Sequence, residues 1–414
     1  MIRIVILGGG FGGIRCALDC ARKLKGEAKV TVIDRNSYHS FTPALYEIAS
    51  AYQPSDDPFA LQLRKAVTIP YRDIFEDKNI DFIQAEVDSV DLTASAVVFK
   101  DDNRLDFDYI VFALGSQVAD FGISGVYDYA YQFKTTDDAV MLHNKLETSF
   151  QDAVQNKISL PIKFLIIGAG FTGIELAAEL MVCAQKLSRR YGLNRRSFSV
   201  ILFETCPIIL PIIKETERKK IITRLTDLGV VVMTDSTIEN VLSDSVKLKT
   251  GQIISGTAVI WTAGVQATHL PAKVFGLPVT DKGKIIIDEN LRVQNYDKLF
   301  AIGDCIEFIN PKTQKPIPGL AYHAIDQAKI VASNITAMIR ERSLRVYEIN
   351  TNSWAVPVGG KFVLMQIGSS FWVSGFVGWL IRLCIDAKYF LSILPLKKAL
   401  ALFKKDLILF SKND

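Results

Sequence analysis

The chain has 414 residues, 49% apolar and 22% charged, enough to bury a large core and to exclude wholesale disorder. Its 48 basic and 44 acidic side chains leave a formal charge of only +4, with no basic block in the first 350 residues, which excludes the electrostatic footprint of a nucleic-acid binder. Six scattered cysteines (Cys16, Cys20, Cys183, Cys206, Cys305, Cys384) form no C-x-x-C, which excludes a disulfide scaffold, a zinc cluster and a dithiol redox motif.

The chain opens Met-Ile-Arg and runs straight into an apolar strand with no signal-peptide pattern, so a reducing cytosol is the expected compartment. The strand ends at Leu7 and is followed by a G-x-G-x-x-G turn through Gly8, Gly10 and Gly13. A helix-period stretch comes next, in which Cys16 and Cys20 lie one turn apart and read as small buried residues. A second apolar strand, Lys29 to Asp34, ends in an acid. The same design returns at 162–185: an apolar strand to Ile167, a turn through Gly168, Gly170 and Gly173, a helix, and a strand from Ser199 ending at Glu204. One strand–turn–helix–strand unit of a doubly wound fold is thus used twice.

Further apolar strands end at a glycine: Ile110 to Gly115, Ala258 to Gly264, and Leu299 through Gly303 to Asp304. A proline-rich loop, Pro311 to Gly319, leads into a helix predicted from about Ala321 to Arg340. From 362 to 381 the chain carries no charge, but Gln366, serines and glycines interrupt it, so a strand and then a helix starting near Phe371 is expected rather than a membrane span. From Phe371 to Phe410 bulky apolar residues are spaced by Lys397, Lys398, Lys404 and Lys405 and interrupted at Arg382, Asp386 and Pro395. This pattern fits a basic amphipathic segment in the interface of an anionic membrane, with packing on the body as the competing account. A mean hydropathy of +0.21 agrees with some apolar surface being covered outside the core.

A dinucleotide pyrophosphate needs amide donors and a backbone it can approach. Gly8 and Gly168 permit the tight turn, Gly10 and Gly170 the close approach, and Gly13 and Gly173 the packing of helix on strand. Asp34 and Glu204 are candidates for the ribose hydroxyls, and a carboxylate there repels a 2′-phosphate, so Glu204 favours NADH over NADPH. Glu204 lies farther beyond its turn than the usual roughly 20 residues. Capping of its strand is the plainer alternative. Two such folds in one chain imply a flavin in one and a nicotinamide in the other. The helix near Ala321 is expected to aim its N-terminus at the flavin ring, and Asp304 to bond the ribityl chain. The domain reading is 1–115 plus 290–345 for the first unit, 116–289 for the second, and a C-terminal region at 346–414.

These segments resemble the type II NADH dehydrogenases, single-subunit NADH:quinone oxidoreductases. The resemblance rests on Gly8 to Gly13, Asp34-Arg-Asn-Ser-Tyr-His39, Phe41-Thr-Pro-Ala-Leu-Tyr46, Ala113-Leu-Gly-Ser116, Gly168 to Glu175, Trp261-Thr-Ala-Gly264 and Ala301-Ile-Gly-Asp304, and it covers nearly the whole length. It implies a glutathione-reductase-like α/β flavoprotein of two Rossmann-like domains, with FAD, NADH as donor, a membrane quinone as acceptor, and no proton pumping. It also implies a peripheral place on the cytoplasmic membrane face and leaves room for a homodimer. Carried over by residue, Gly8, Gly10, Gly12, Gly13, Asp34, Arg35, Val87, Ala113, Gly115, Asp304 and Ala324 are flavin-side positions. Gly168, Gly170, Gly173, Glu204 and Gly264 are nicotinamide-side positions, and Glu175 lies near nicotinamide and quinone. Tyr322 and Asp326 stand where the family has glutamines. Tyr322 could bond and stack on a quinone, and His323 could supply a proton. The competing readings are a sulfide:quinone reductase, which needs a cysteine pair at the flavin, a flavin reductase serving a small iron–sulfur protein, and an NADH-responsive binding module.

Overall fold

The computed structural model describes residues 1–52, 60–311, 314, 316–317, 319–349, 353–368 and 371–410. The proline-rich loop of 311–319 therefore lies partly outside the described residues. Two five-stranded parallel sheets carry the architecture. The first runs, in spatial order, Leu299–Ala301, Tyr109–Phe112, Ile2–Leu7, Ala28–Asp34, Ile80–Gln84. The second runs Tyr131–Gln132, Ala258–Trp261, Ile162–Ile167, Phe198–Phe203, Val230–Met233. Their central strands are buried on both faces, which is why they read as unbroken β-branched runs rather than as alternation.

The repeat extends beyond the motif that announces it. Leu7 pairs with Ile33 and Phe112, and Ile167 pairs with Phe203 and Trp261, so both units hold one register. Each unit also inserts a three-stranded antiparallel meander just before the strand that returns to its sheet. One spans Val87–Asp91, Ala96–Phe99 and Arg104–Asp106; the other spans Ile238–Val241, Ser245–Leu248 and Ile253–Ser255. Only the fifth strand differs in origin. In the second unit it precedes the glycine turn, and in the first it returns from Leu299–Ala301, after the second unit is complete. Val87 opens a strand rather than ending one, because the preceding strand stops at Gln84.

Three helices frame the sheets: α1 (Phe11–Lys23), α2 (Phe171–Arg190) and α3 (Ala321–Ile339). The length of α2 absorbs the loose spacing of Glu204. Gly12 lets α1 approach the first sheet and α3, since a Cβ there would lie 3.0 Å from Ile302 Cδ1 and 3.3 Å from the Ala324 carbonyl oxygen. Cys16 and Cys20 are buried in α1 with their sulfurs 4.0 Å apart.

The C-terminal region forms an antiparallel sheet of Trp354–Pro357, Val363–Ile367 and Phe371–Val373, followed by α4 (Phe376–Ile393) and α5 (Leu396–Phe410). The helix expected from Phe371 thus begins later. Phe371–Val373 pairs with Met365–Ile367, and Gly375, at φ 75°, turns the chain into the helix. The expected single amphipathic segment is two helices broken at Pro395, and its polarity is inverted. Arg382 faces inward, 2.7 Å from Glu47 and 3.6 Å from Asp386, and Lys398 pairs with Asp73 and Glu76 at 2.8 and 2.7 Å. Outward stand Phe376, Val377 and Leu380, exposed by 53, 55 and 42%, with Leu396 and Leu400 beyond them. Among the described residues no helix is long and apolar enough to cross a membrane.

A Cβ on Gly378 would lie 2.3 Å from the Val363 carbonyl oxygen. Gly378→Ala is therefore expected to lever α4 off the sheet at a cost of about 1–3 kcal/mol in chemical denaturation. An unchanged denaturation midpoint would contradict this seating.

Candidate active site

The two glycine turns are near-superimposable in local geometry. Gly8 and Gly168 both have φ +104°, and their amides donate to the Ile33 and Phe203 carbonyls at 2.8 and 2.9 Å. A Cβ at Gly13 would lie 1.9 Å from the Gly8 oxygen, and one at Gly173 would lie 1.9 Å from the Gly168 oxygen. Only hydrogen fits there, so each helix starts directly over its strand. At Gly10 and Gly170 the opposite holds: nothing comes within 4 Å of the Cβ position. Each loop thus presents open backbone at a helix N-terminus, where a pyrophosphate can approach.

Each loop is braced on its acid in the same way. Asp34 accepts from the Gly9 amide at 2.7 Å and, on its other oxygen, from the Asn36 amide at 2.8 Å. Glu204 accepts from the Ala169 amide at 3.1 Å and from the Cys206 amide at 2.9 Å. Both carboxylates are half-buried at strand ends with lone pairs left over for hydroxyl donors. This equivalence goes beyond strand capping, since each acid ties its strand to the neighbouring glycine turn. The donor set fits two dinucleotides, one per loop.

The turns after the returning strands complete the walls. The Ala113 carbonyl lies against Gly8, Gly115 has φ +67° with open space around it, and Gly264 is covered by the Phe121 ring. Arg35 is exposed beside Asp34, and its carbonyl accepts from Gln84 at 3.2 Å. Between the units lies a cleft lined among others by Ser116, Asp304, His323, Ala324 and Gln327. Asp304 accepts from the Ser116 hydroxyl at 2.7 Å, and Lys134 donates to that hydroxyl at 2.8 Å. The first turn of α3 borders the cleft, and Gln327 fixes it by accepting from the Gly303 amide at 2.7 Å. Asp304, His323 and Ala324 therefore come together. Burial pushes the His323 imidazole below its ordinary value, so it is neutral at pH 7. Tyr322 packs beside it with ring centroids 4.1 Å apart, but is not part of the cleft wall.

Glu175 stands apart from this cleft. It belongs to a carboxylate cluster that shares one guanidinium, Arg382 of α4, with Glu47 and Asp386. Burial pushes the Glu175 carboxyl up to about 8, Arg382 opposing and Glu47 adding to the rise. Asp386 is pushed up to about 6 by the same burial. Nothing local in the sequence pointed to the pairing of Arg382 with Glu47, far away along the chain, or of Lys134 with Ser116. No cysteine lines the cleft, so none offers a redox pair there. Cys305 is buried, donates to the Phe112 and Ile302 carbonyls at 3.4 and 3.2 Å, and is pushed up to about 11 by burial. Cys183 is buried in α2 and likewise pushed up.

Residues 2–328 match the family model of the pyridine nucleotide-disulphide oxidoreductases. The chain belongs to that family. Within it, the chain is similar to the type II NADH:quinone oxidoreductase of Staphylococcus aureus, 29% identical over 353 residues that span 84% of this chain and 85% of that one. Among solved structures, NDH2 from Plasmodium falciparum in complex with NADH superposes with a TM-score of 0.85 at 19% identity, covering 98% of this chain and 97% of that one. The sulfide:quinone oxidoreductase of Aquifex aeolicus shares the fold at a TM-score of 0.78 and 18% identity, covering 94 and 91%. Fold alone does not separate these two activities. Cys183 and Cys305 are buried with their thiols pushed up, and the exposed Cys206 and Cys384 do not line the cleft, whereas sulfide chemistry needs an accessible thiolate there.

Glu175 gives a stability test. A carboxyl raised from its ordinary 4.5 to about 8 holds its proton more tightly when folded. Its contribution is full below pH 4.5 and is lost as the pH rises through 8. Thermal unfolding of Glu175→Gln should therefore gain on the parent between pH 4.5 and 8 and level off above. Parallel curves would refute a buried, proton-holding Glu175.

Proposed function

We infer that the protein oxidises NADH through bound FAD and passes the electrons to a quinone without pumping protons. The observation that carries this is the pair of glycine loops braced alike on Asp34 and Glu204, in a chain similar over most of its length to a type II NADH:quinone oxidoreductase. FAD is assigned to the first loop and NADH to the second. When bound, the flavin takes a hydride from NADH and returns two electrons to the quinone.

The chain's own residues bind, orient and supply protons. Gly8, Gly10 and Gly13 with the start of α1 take the FAD pyrophosphate; Gly168, Gly170 and Gly173 with α2 take that of NADH. Asp34 accepts from the FAD ribose. Glu204 accepts from the NADH ribose hydroxyls and repels the 2′-phosphate of NADPH. Val87, Arg35, Ala113, Gly115 and Gly264 shape the two sites, and Asp304 faces the ribityl chain. The α3 N-terminus, with Ala324, points its dipole at the flavin ring. A quinone needs two protons with its two electrons. Glu175 is assigned the role of holding one at neutral pH, and Tyr322 and His323 are assigned to the quinone itself, as hydrogen-bond partner and proton source.

The domain reading of 1–115 plus 290–345, 116–289 and 346–414 follows the sheets. The outward apolar face of α4 and α5 is assigned to the interface of an anionic membrane on its cytoplasmic side, which would bring the enzyme beside its quinone with no spanning helix among the described residues.

Stopped-flow mixing tests the reaction. NADH should bleach the flavin rapidly, NADPH slowly, and quinone analogues should restore the colour. A flavin left oxidised by NADH would reduce the protein to a binding module. In Glu204→Gln, preference for NADH over NADPH is expected to fall about tenfold, the scale of a charge-assisted hydrogen bond. Equal NADH and NADPH rates in the parent would defeat the role of Glu204. For the membrane, replacing Phe376, Val377 and Leu380 together by Glu should abolish co-sedimentation with anionic phospholipid vesicles while the protein keeps its flavin. Undiminished co-sedimentation would overturn the assignment.

A further inference from the structure

The two glycine loops differ in which carbonyls their neighbours' side chains hold: in the second, the Thr262 hydroxyl reaches the Ile167 and Gly168 carbonyls at 2.9 and 3.0 Å. The Gly9 carbonyl of the first loop accepts two side-chain hydrogen bonds, from the Tyr71 hydroxyl at 2.9 Å and from His39 Nδ1 at 3.2 Å. The matching Ala169 carbonyl of the second loop has no side-chain donor among the described residues. Both donors reach Gly9 from one small ribbon, in which Tyr38–Ser40 pairs with Thr68–Pro70 and Tyr71 follows directly. Gly9 is glycine because of this contact: a Cβ there would fall 2.1 Å from the Tyr71 hydroxyl.

The tautomer of His39 follows from its partners. A carbonyl only accepts, so Nδ1 must carry the proton, and Nε2 is left as an acceptor. That acceptor is filled from the far end of the chain: the Tyr389 hydroxyl of α4 lies 2.7 Å from His39 Nε2. Phe11, the first residue of α1, packs edge-on to His39 at 4.8 Å and lies 4.9 Å from the Tyr389 ring. One turn further on, Arg15 donates to the Ser392 carbonyl of α4. Burial also pushes His39 down to about 4, so it remains neutral and cannot donate from both nitrogens.

In a trans peptide the carbonyl of Gly9 and the N–H of Gly10 point in opposite directions. Two donors that hold the carbonyl toward the interior therefore hold the Gly10 amide toward the open side of the loop, and they polarise that peptide. We propose that Tyr389 is a positioning residue for the flavin: through His39 it locks the Gly9–Gly10 peptide in the orientation that grips the FAD pyrophosphate. The second loop is held one peptide earlier, at Gly168 by Thr262, and not at the Ala169–Gly170 peptide; it releases its nucleotide at every turnover. The same α4 that presents the apolar outer face thus clamps the resident cofactor. This inference rests on the assignment of FAD to the first loop.

The test is flavin release from the holoenzyme, followed by the rise of free-flavin fluorescence after dilution, with NADH affinity measured alongside. Tyr389→Phe should release FAD about fivefold faster, and His39→Ala about tenfold faster or more, the scale of one and of two altered buried hydrogen bonds. His39→Asn, whose amide can donate from the position of Nδ1, should retain FAD close to the parent level. NADH affinity should not change with Tyr389→Phe. Unchanged FAD release in both Tyr389→Phe and His39→Ala overturns the proposal, as does an equal loss of NADH affinity. A parent protein that neither carries nor takes up FAD overturns the flavin assignment itself, a distinct result. If His39→Ala does not fold, the comparison of Tyr389→Phe with the parent still decides.

Discussion

The structure depends on a single close approach made twice: the absence of a side chain at Gly13 and Gly173, each 1.9 Å by Cβ position from the carbonyl of the turn's first glycine. This contact sets a helix N-terminus directly over the end of a central parallel strand. The positive end of the helix dipole and the unpaired first-turn amides then face the point where the acid of the next strand also arrives. Everything proposed for nucleotide binding follows from this placement. The shared register of the two sheets ensures that it occurs in the same form in both units.

Around that repeated core, asymmetry divides the labour. The first unit borrows its last strand from beyond the second unit, so α3 returns to the cleft and Asp304, His323 and Ala324 meet there. The second unit closes with a strand that precedes its own turn and carries no comparable helix to the cleft. The C-terminal region joins both. Arg224 donates to the Val358 and Gly359 carbonyls beside the second unit, while Arg382, Tyr389 and Lys398 reach into the first.

The parts legible in the sequence were those encoded locally. Gly8 to Gly13 and Gly168 to Gly173 announce their conformation because few other residues can adopt it. Ile2–Leu7 and Ile162–Ile167 announce buried parallel strands by unbroken β-branched runs. Asp34 and Glu204 were readable because each ends such a strand. The meanders were not, since their strands are short and half-exposed and carry a weak period-2 signal. The inward turn of Arg382 and Asp386 was hidden as well. A charged residue in an apolar helix reads as surface, and only the partner Glu47, far away in sequence, makes burial tolerable. The four lysines spaced through the C-terminal segment suggested a basic amphipathic helix at a membrane, yet Lys398 is spent on Asp73 and Glu76. Tyr389 carried no local sign of its bond to His39.

The inverted polarity of α4 and α5 has a mechanical consequence. The ion pairs of Arg382 and Lys398 hold both helices to the body, so the outer face is a solid relief and not a coil waiting to condense. On the proposed membrane assignment, such a face would settle on a bilayer with little loss of chain entropy. It would fix immersion depth and heading at once, like a keel. The distance from the lipid headgroups to the cleft would then be a constant of the fold.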